Sequence, residues 1–206
     1  MRLPSMNRRK LFKFTAIFLA AYLALLALSM QYGQRYIELL LPLYRWEVGW
    51  FTPDYRILSL GIQDNHGEAV VALNLLQTRL TVIEDHLLYP GGTFSSSTLA
   101  GHALQHALLM LSLLAAWPVR HFSGRLLLLV SAVPFLLLME MLDTPLMLLG
   151  AIDDLILANV APDASSFLIY WMHFLDGGGR LALSIAAALA AVGFGRMLVT
   201  RTWHAT

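Results

Sequence analysis

The chain has 206 residues, of which 58% are hydrophobic and only 13% are charged. Soluble domains usually carry about 25% charged residues, so this composition indicates an integral membrane protein. The formal net charge of +1 gives no basic excess of the kind found in nucleic-acid-binding domains, and we expect no nucleic-acid partner. The chain contains no cysteine, which excludes disulfides, thiolate metal sites and a cysteine nucleophile.

The distribution of basic residues predicts how the chain crosses the membrane. Lys and Arg are retained on the cytoplasmic side and are rare in short translocated loops. Nine basic residues flank the apolar segments on the predicted cytoplasmic side: Arg2, Arg8, Arg9, Lys10, Lys13, Arg120, Arg125, Arg196 and Arg201. The thirteen acidic residues fall on the other side or near the outer ends of the spans. The sequence therefore predicts a multi-pass protein with both termini in the cytoplasm.

Four apolar segments predict four transmembrane helices. The first, residues 14–30, follows a basic cytoplasmic segment at residues 1–13, and with its ends included it can cross a hydrocarbon core of about 30 Å. The others are residues 99–119, 125–142 and 180–199, with a cytoplasmic turn at residues 120–124 and a cytoplasmic tail at residues 200–206. Because Ala27-Leu28-Ser29 fits a small-x-small cleavage site, a cleaved signal peptide is the alternative for the first span.

Residues 31–98 predict a small extracytoplasmic β-rich domain between the first two spans. Gln34–Trp46 has apolar residues at helical spacing beside charged ones, which favours a short amphipathic helix at the membrane interface. Two β-prone runs, Tyr55–Gln63 and Glu68–Leu75, are joined by the turn-rich tetrapeptide Asp64-Asn65-His66-Gly67. This arrangement predicts a β-hairpin.

The end of this domain predicts a third strand and a helix cap. Thr78–Ile83 alternates in polarity, so we expect it to complete a three-stranded meander. Ser95-Ser96-Ser97-Thr98 offers several hydroxyls that can cap the next helix. The fold class predicted from the sequence is thus an α-helical membrane protein with four spans and a small α+β insert.

The outer segment at residues 143–179 is acidic and predicts interfacial helices. Asp143-Thr144-Pro145 marks the predicted exit of the third span. The two apolar pieces that follow, Leu146–Val160 and Ser165–Leu175, make poor spans, because a crossing there would bring Asp163 to the cytoplasm. Gly177-Gly178-Gly179 is predicted to let the chain turn into the last span.

The last span carries small residues on nearly one face. They are Ala182, Ala186, Ala190 and Gly193. Such a pattern lets membrane helices approach one another closely. We therefore expect this face to contact a neighbouring span.

The polar residues of the spans fall at one predicted depth, near the outer ends of the helices. They are His102, Gln105, His106, Glu140, Asp143, His173, Asp176 and Arg180. Polar side chains inside a membrane are costly unless they are paired, so we expect the helices to face one another through this polar cluster.

Two roles are open for the polar cluster. His102 and His106 have the His-x-x-x-His spacing that can bind one metal ion, and Glu140 or Asp143 could supply a carboxylate ligand for a site that activates water. In the other role the same side chains form hydrogen bonds and ion pairs that hold the helices together. The sequence favours the second role, for which no cofactor is expected.

Two stretches resemble a known family. Asp143-Thr-Pro-Leu-Met-Leu-Leu-Gly150 and Phe174-Leu-Asp-Gly-Gly-Gly-Arg-Leu-Ala-Leu183 resemble parts of the small multispan membrane proteins described as exosortase-associated in Gram-negative bacteria. The number of spans and the outer insert are also similar, so the resemblance covers most of the chain. It implies a protein of the bacterial inner (plasma) membrane that accompanies a protein-sorting transpeptidase. Exosortases themselves use a cysteine nucleophile, which this chain lacks.

The sequence leaves two functional hypotheses. The preferred one is a noncatalytic accessory protein, anchored in the lipid bilayer, whose outer domain docks a partner or substrate protein. The alternative is an outer-leaflet hydrolase or transferase that uses His102, His106, Glu140 and Asp143, with Arg180 holding an anionic group. A transporter is disfavoured, because four spans make a narrow bundle and no pair of broken helices is evident at midplane.

Overall fold

The structure of the protein, a computed structural model, describes residues 8–83, 86–119 and 122–203. Arg2, Arg120 and parts of the three predicted cytoplasmic segments lie outside the described residues. The helices are α1 (Arg8–Phe51), α2 (Ala100–Ala116), α3 (Phe122–Val160), α4 (Phe167–Phe174) and α5 (Arg180–Trp203), with a π-helical turn at Leu175–Gly179. The strands are β1 (Tyr55–Asn65), β2 (Glu68–Gln77), β3 (Thr81–Ile83), β4 (His86–Leu88) and β5 (Thr93–Leu99).

Three helical segments in the described part of the chain are long and apolar enough to cross a membrane. They are Arg8–Phe51, Ser123–Val160 and Phe167–Gly195. The fourth apolar helix, α2, has 17 residues, which at 1.5 Å per residue extend about 25 Å. The protein is therefore a helical membrane protein with a small sheet.

The chain divides into two compact units. The first, which we call the apolar unit, contains the described parts of Met1–Gln31, His106–Met139 and Leu181–Thr206. The second contains Tyr32–Gln105 and Glu140–Arg180 and holds all five strands, so we call it the sheet-bearing unit.

The predicted interfacial helix at Gln34–Trp46 is not a separate element, because α1 is continuous from Arg8 to Phe51. Its second half buries one face, formed by Gly33, Ile37, Leu40, Tyr44, Glu47 and Val48. These positions recur every three or four residues, as expected for a helix that packs along one stripe. Gly33 is a packing position, since a Cβ there would lie 2.7 Å from Leu104 Cδ1. The amphipathic pattern was thus correct, and the separation from the first span was wrong.

The predicted hairpin of β1 and β2 is confirmed. The two strands are antiparallel, and the pairing of Asn65 with Glu68 leaves His66 and Gly67 as a two-residue turn. Both turn residues have positive φ, 56° and 88°, as two-residue hairpin turns of this kind require. Asp64 Oδ1 accepts a hydrogen bond from the Gly67 amide at 2.8 Å. The local turn chemistry therefore sets the register.

The third strand of the main sheet is β5, which corrects two predictions. The strand order is β1-β2-β5, and the serines predicted to cap a helix lie in β5, paired with Ala72, Leu73 and Asn74 of β2. The segment predicted as the third strand instead contributes β3, which pairs with β4 in a separate two-stranded sheet. Serine has little strand preference of its own, so pairing with the buried central strand decides this structure.

The hydrophobic core of the sheet-bearing unit packs the second half of α1 and the end of α3 against β2. Its largest members include Ile37, Leu73, Leu75 and Leu148, all almost fully buried. Because β2 is hydrogen-bonded on both sides and buried, it has a nearly continuous apolar run in place of alternation.

The helix that contains the third predicted span does not end at Asp143-Thr144-Pro145, because α3 continues through Pro145 to Val160. Asp143 and Thr144 are each only 1% exposed, so they lie inside the protein. The segment predicted as a separate interfacial helix at Leu146–Val160 is the last part of α3, and it contributes Leu148, Leu149 and Ile152 to the core.

The three glycines before α5 form a kink between two helices, as a turn of the chain at this point requires. The π-helical turn joins α4 to α5, and Gly178 within it has φ 103°, a conformation that glycine adopts without strain. The predicted helix at Ser165–Leu175 is present as α4, and the Ser166 hydroxyl caps it by accepting from the Ile169 amide.

The contact face of α5 was predicted wrongly. Ala182, Ala186, Ala190 and Gly193 are exposed. Within the apolar unit the buried face of α5 instead carries Ser184, Ala187, Ala188, Ala191 and Gly195. A Cβ at Gly195 would lie 3.0 Å from Ser131 Oγ, and that hydroxyl lies 3.2 Å from the Ala191 carbonyl oxygen. Both faces of α5 carry small residues. The face that packs also carries the hydroxyl of Ser184 and lies against Ser131 of α3.

Candidate functional site

The sheet-bearing unit buries four charged side chains: Glu47 on α1, and the three that form the candidate site, Glu140, Asp143 and Arg180. Glu140 is 0% exposed, Asp143 is 1% exposed and Arg180 is 4% exposed. Glu140 and Asp143 lie one turn apart on α3, and Arg180 is the first residue of α5. Buried charges are retained in proteins when they are paired or hydrogen-bonded, so the partners of these groups define what the site can do.

Two tyrosines of α1 hold the Glu140 carboxylate. Tyr36 donates its hydroxyl to Oε1 at 2.8 Å, and Tyr44 donates to Oε2 at 2.8 Å. Each carboxylate oxygen thus accepts a hydrogen bond from a separate turn of α1. Buried polar groups are stable when they are hydrogen-bonded, and these two hydrogen bonds tie α1 to α3.

Arg180 joins two carboxylates. Its Nε lies 2.9 Å from Asp143 Oδ1 and 3.1 Å from Oδ2, and its Nη1 lies 2.9 Å from Asp176 Oδ1. The Asp143 side chain is 1% exposed, whereas that of Asp176 is 49% exposed. Arg180 therefore links α3 to the π-helical turn, and its guanidinium is engaged by protein carboxylates.

A tryptophan makes a further connection between α3 and α4. Trp171 Nε1 donates to the Leu142 carbonyl oxygen at 2.6 Å. Its ring packs against Phe167 and Phe174, with centroids 5.9 Å and 5.2 Å away. Trp171 thus anchors α4 to α3 at Leu142, the residue before Asp143.

The predicted histidines contact hydroxyl groups. His106 is fully buried, and its Nδ1 lies 2.8 Å from Ser184 Oγ within the apolar unit. In the sheet-bearing unit, His102 is half-buried and its Nδ1 lies 3.4 Å from Thr98 Oγ1. Gln105 is half-buried, and His173 is exposed on α4.

The structure thus brings some members of the predicted polar cluster together. Asp143, Asp176 and Arg180 form one ion-pair group. Throughout residues 8–83, 86–119 and 122–203, no group of three or more His, Asp or Glu side chains is arranged to hold a metal ion. The arrangement of Glu140, Asp143 and Arg180 is suited to joining helices through buried polar contacts.

The sequence did not predict three side chains that join helices at this site. They are Tyr36 and Tyr44, which donate to Glu140, and Trp171, which donates to α3. The signal for the tyrosines was available, because Tyr36, Leu40 and Tyr44 recur at four-residue spacing on the face that α1 buries. A tyrosine on a buried helix face needs a partner for its hydroxyl, and Glu140 was a buried acceptor in need of donors.

A second candidate surface lies on the small sheet of β3 and β4. Val82 pairs with Leu87 in the antiparallel register, and Leu80 and Tyr89 flank this pair. The exposed fraction is 53% for Leu80, 62% for Val82, 50% for Leu87 and 69% for Tyr89. We call these four residues the apolar hairpin face. Ile83 and Leu88 pack against the core, so an apolar exposed side departs from the usual polar outer face of an antiparallel sheet.

Comparison with protein-family models, with curated proteins and with solved structures gave no match for this chain.

Proposed function

We propose that the protein is a noncatalytic accessory protein of the bacterial inner membrane that docks a partner or substrate protein at the outer face, in an exosortase-type protein-sorting system. The observation that carries the proposal is the apolar hairpin face, where four large apolar side chains are exposed together. Contiguous exposed apolar patches commonly mark protein interaction sites. The pairing of Glu140, Asp143 and Arg180 with protein side chains further supports a structural role for the buried charges.

In the proposed topology the chain has four spans, of which α2 is the second, with both termini in the cytoplasm and the sheet-bearing unit outside. The basic residues that flank the apolar segments support this orientation. The three long apolar helices are compatible with it, and α2 has the composition of a span.

The natural absence of cysteine allows a direct test of this topology. We expect Asp163→Cys, at an exposed position, to react in intact spheroplasts with a membrane-impermeant maleimide. Ser123→Cys, also exposed but within the predicted cytoplasmic turn, should react only after the membrane is permeabilised. The reverse labelling pattern would contradict the orientation, and labelling of both positions in intact cells would contradict the crossing of the third span.

Docking through the apolar hairpin face is tested by crosslinking in living cells. A photoreactive phenylalanine at Tyr89 should crosslink to one defined protein, identified by mass spectrometry. The same probe at Gln63, which is exposed on β1, should not form that adduct. The adduct should fall about tenfold when Val82→Glu is added, because a charge at the centre of the face removes apolar contact. Equal adducts from both probe positions, or an adduct insensitive to Val82→Glu, would contradict docking by this face.

A further inference from the structure

The sheet-bearing unit contains a cavity of about 210 Å³. Its apolar walls come from Phe51 of α1, Leu75 of β2, Leu149, Ile152 and Ile156 of α3, and Leu168 of α4. Thr52, Tyr55 and Asp153 complete the lining. Ligand pockets for drug-sized molecules usually occupy about 300–1,000 Å³, so this cavity suits a smaller group, such as one ring or one short alkyl chain.

Asp153 gives the cavity a negative charge. It is half-buried on α3, and the Ser166 side chain is hydrogen-bonded to it. A hydroxyl can satisfy a carboxylate oxygen but cannot neutralise its charge. None of the described residues that line the cavity is a Lys or Arg. The Asp153 charge acts on the neighbouring phenol: burial raises the pKa of Tyr55, and the Asp153 and Asp54 carboxylates raise it further.

The aromatic lining residues add a second preference for positive charge. Phe51 and Tyr55 both border the cavity, and the Tyr55 ring is held edge-on by Phe94 at a centroid distance of 6.0 Å. A cation near an aromatic face is attracted by the ring quadrupole, and the attraction grows as water is excluded. A positively charged group would thus meet a carboxylate and two rings, while an apolar body attached to it would meet aliphatic side chains.

We propose that this cavity binds a small primary ammonium group carried on an apolar body, either a free alkyl or aryl amine or the side chain of a lysine in a peptide. The ammonium group pairs with Asp153, and the carbon chain or ring fills the space between Leu149, Ile152 and Leu168. This site is separate from the apolar hairpin face and does not depend on docking there.

The test compares benzylammonium with its neutral isostere, benzyl alcohol, by calorimetric titration of the full-length protein in detergent. We expect benzylammonium to bind about tenfold more tightly, which corresponds to about 1.4 kcal/mol. Asp153→Asn should abolish this preference, whereas Asp154→Asn should retain it, because Asp154 is the adjacent acid but is exposed. Equal affinities for the two ligands in the unaltered protein, or a preference that survives Asp153→Asn, would overturn the proposal.

Two peptides distinguish the sources of the ammonium group. A blocked Ala-Lys-Ala peptide should displace benzylammonium if the site takes a lysine side chain, and the matching norleucine peptide should not. Binding of benzylammonium without displacement by the lysine peptide supports a free amine. The ligand comparison in the unaltered protein keeps the test decisive even if a variant fails to fold.

Discussion

Arg180→Met should lower the free energy of unfolding by about 3–5 kcal/mol, the loss typical of a buried ion pair that keeps only one partner. The substitution removes the guanidinium group that lies 2.9 Å and 3.1 Å from the two Asp143 oxygens, and it leaves that carboxylate 1% exposed. The measurement is an unfolding titration of the purified protein in mixed micelles.

Two further variants test whether the loss of stability comes from the buried Asp143 charge or from the fewer contacts of the Met side chain. Asp176→Asn alters the other carboxylate on Arg180, whose side chain is 49% exposed, and should change stability by less than about 1 kcal/mol. The double variant Asp143→Leu with Arg180→Met should recover much of the lost stability, because apolar pairs often replace buried ion pairs without loss. If the double variant were less stable than Arg180→Met alone, the isolated charge would not be the cause.

Sequence patterns predicted the parts of the fold that depend on neighbouring residues and missed those that depend on distant contacts. The β1–β2 hairpin was predictable because its turn depends on residues 64–67 alone, where Gly67 supplies a positive φ. The role of Ser95–Ser97 was not, because these residues form a strand only by pairing with β2. Asp143 was interpreted as the exit of a span for a similar reason: its polarity was visible in the sequence, but its partner 37 positions away was not.

The members of the candidate site were identified more reliably than their contacts. Polarity at a common depth singled out Glu140, Asp143 and Arg180, and all three are buried. Spacing allowed His102 and His106 to share a metal ion, an alternative that the sequence did not favour, and helical spacing cannot reveal contacts with other elements. Thr98 and Ser184 lie within hydrogen-bonding distance of these histidines, and a hydroxyl gives no periodic signal in a sequence.

Glu140→Ala should also cause a large loss, of about 2–4 kcal/mol, and should lower the abundance of the protein in membranes. The substitution removes the acceptor of two hydroxyls, and each buried donor left without a partner costs about 1–3 kcal/mol. Glu140→Gln keeps a carbonyl oxygen for one tyrosine and should lose less. Glu38→Ala is the matched control, because this carboxylate is exposed on α1, and it should change stability by no more than about 0.5 kcal/mol.

A double-mutant cycle with Tyr44 shows whether Glu140 acts through this hydroxyl. In the unaltered protein, Tyr44→Phe removes a buried hydrogen bond to a Glu140 carboxyl oxygen and should cost about 1–3 kcal/mol. In the Glu140→Ala background the hydroxyl has lost this acceptor and keeps its hydrogen bond with Thr144, so the same change should cost clearly less than in the unaltered protein. Additive losses would show that the two residues stabilise the protein independently. A catalytic role for Glu140 predicts instead that Glu140→Ala leaves stability and abundance intact while function is lost, so the cycle distinguishes a structural carboxylate from a reactive one.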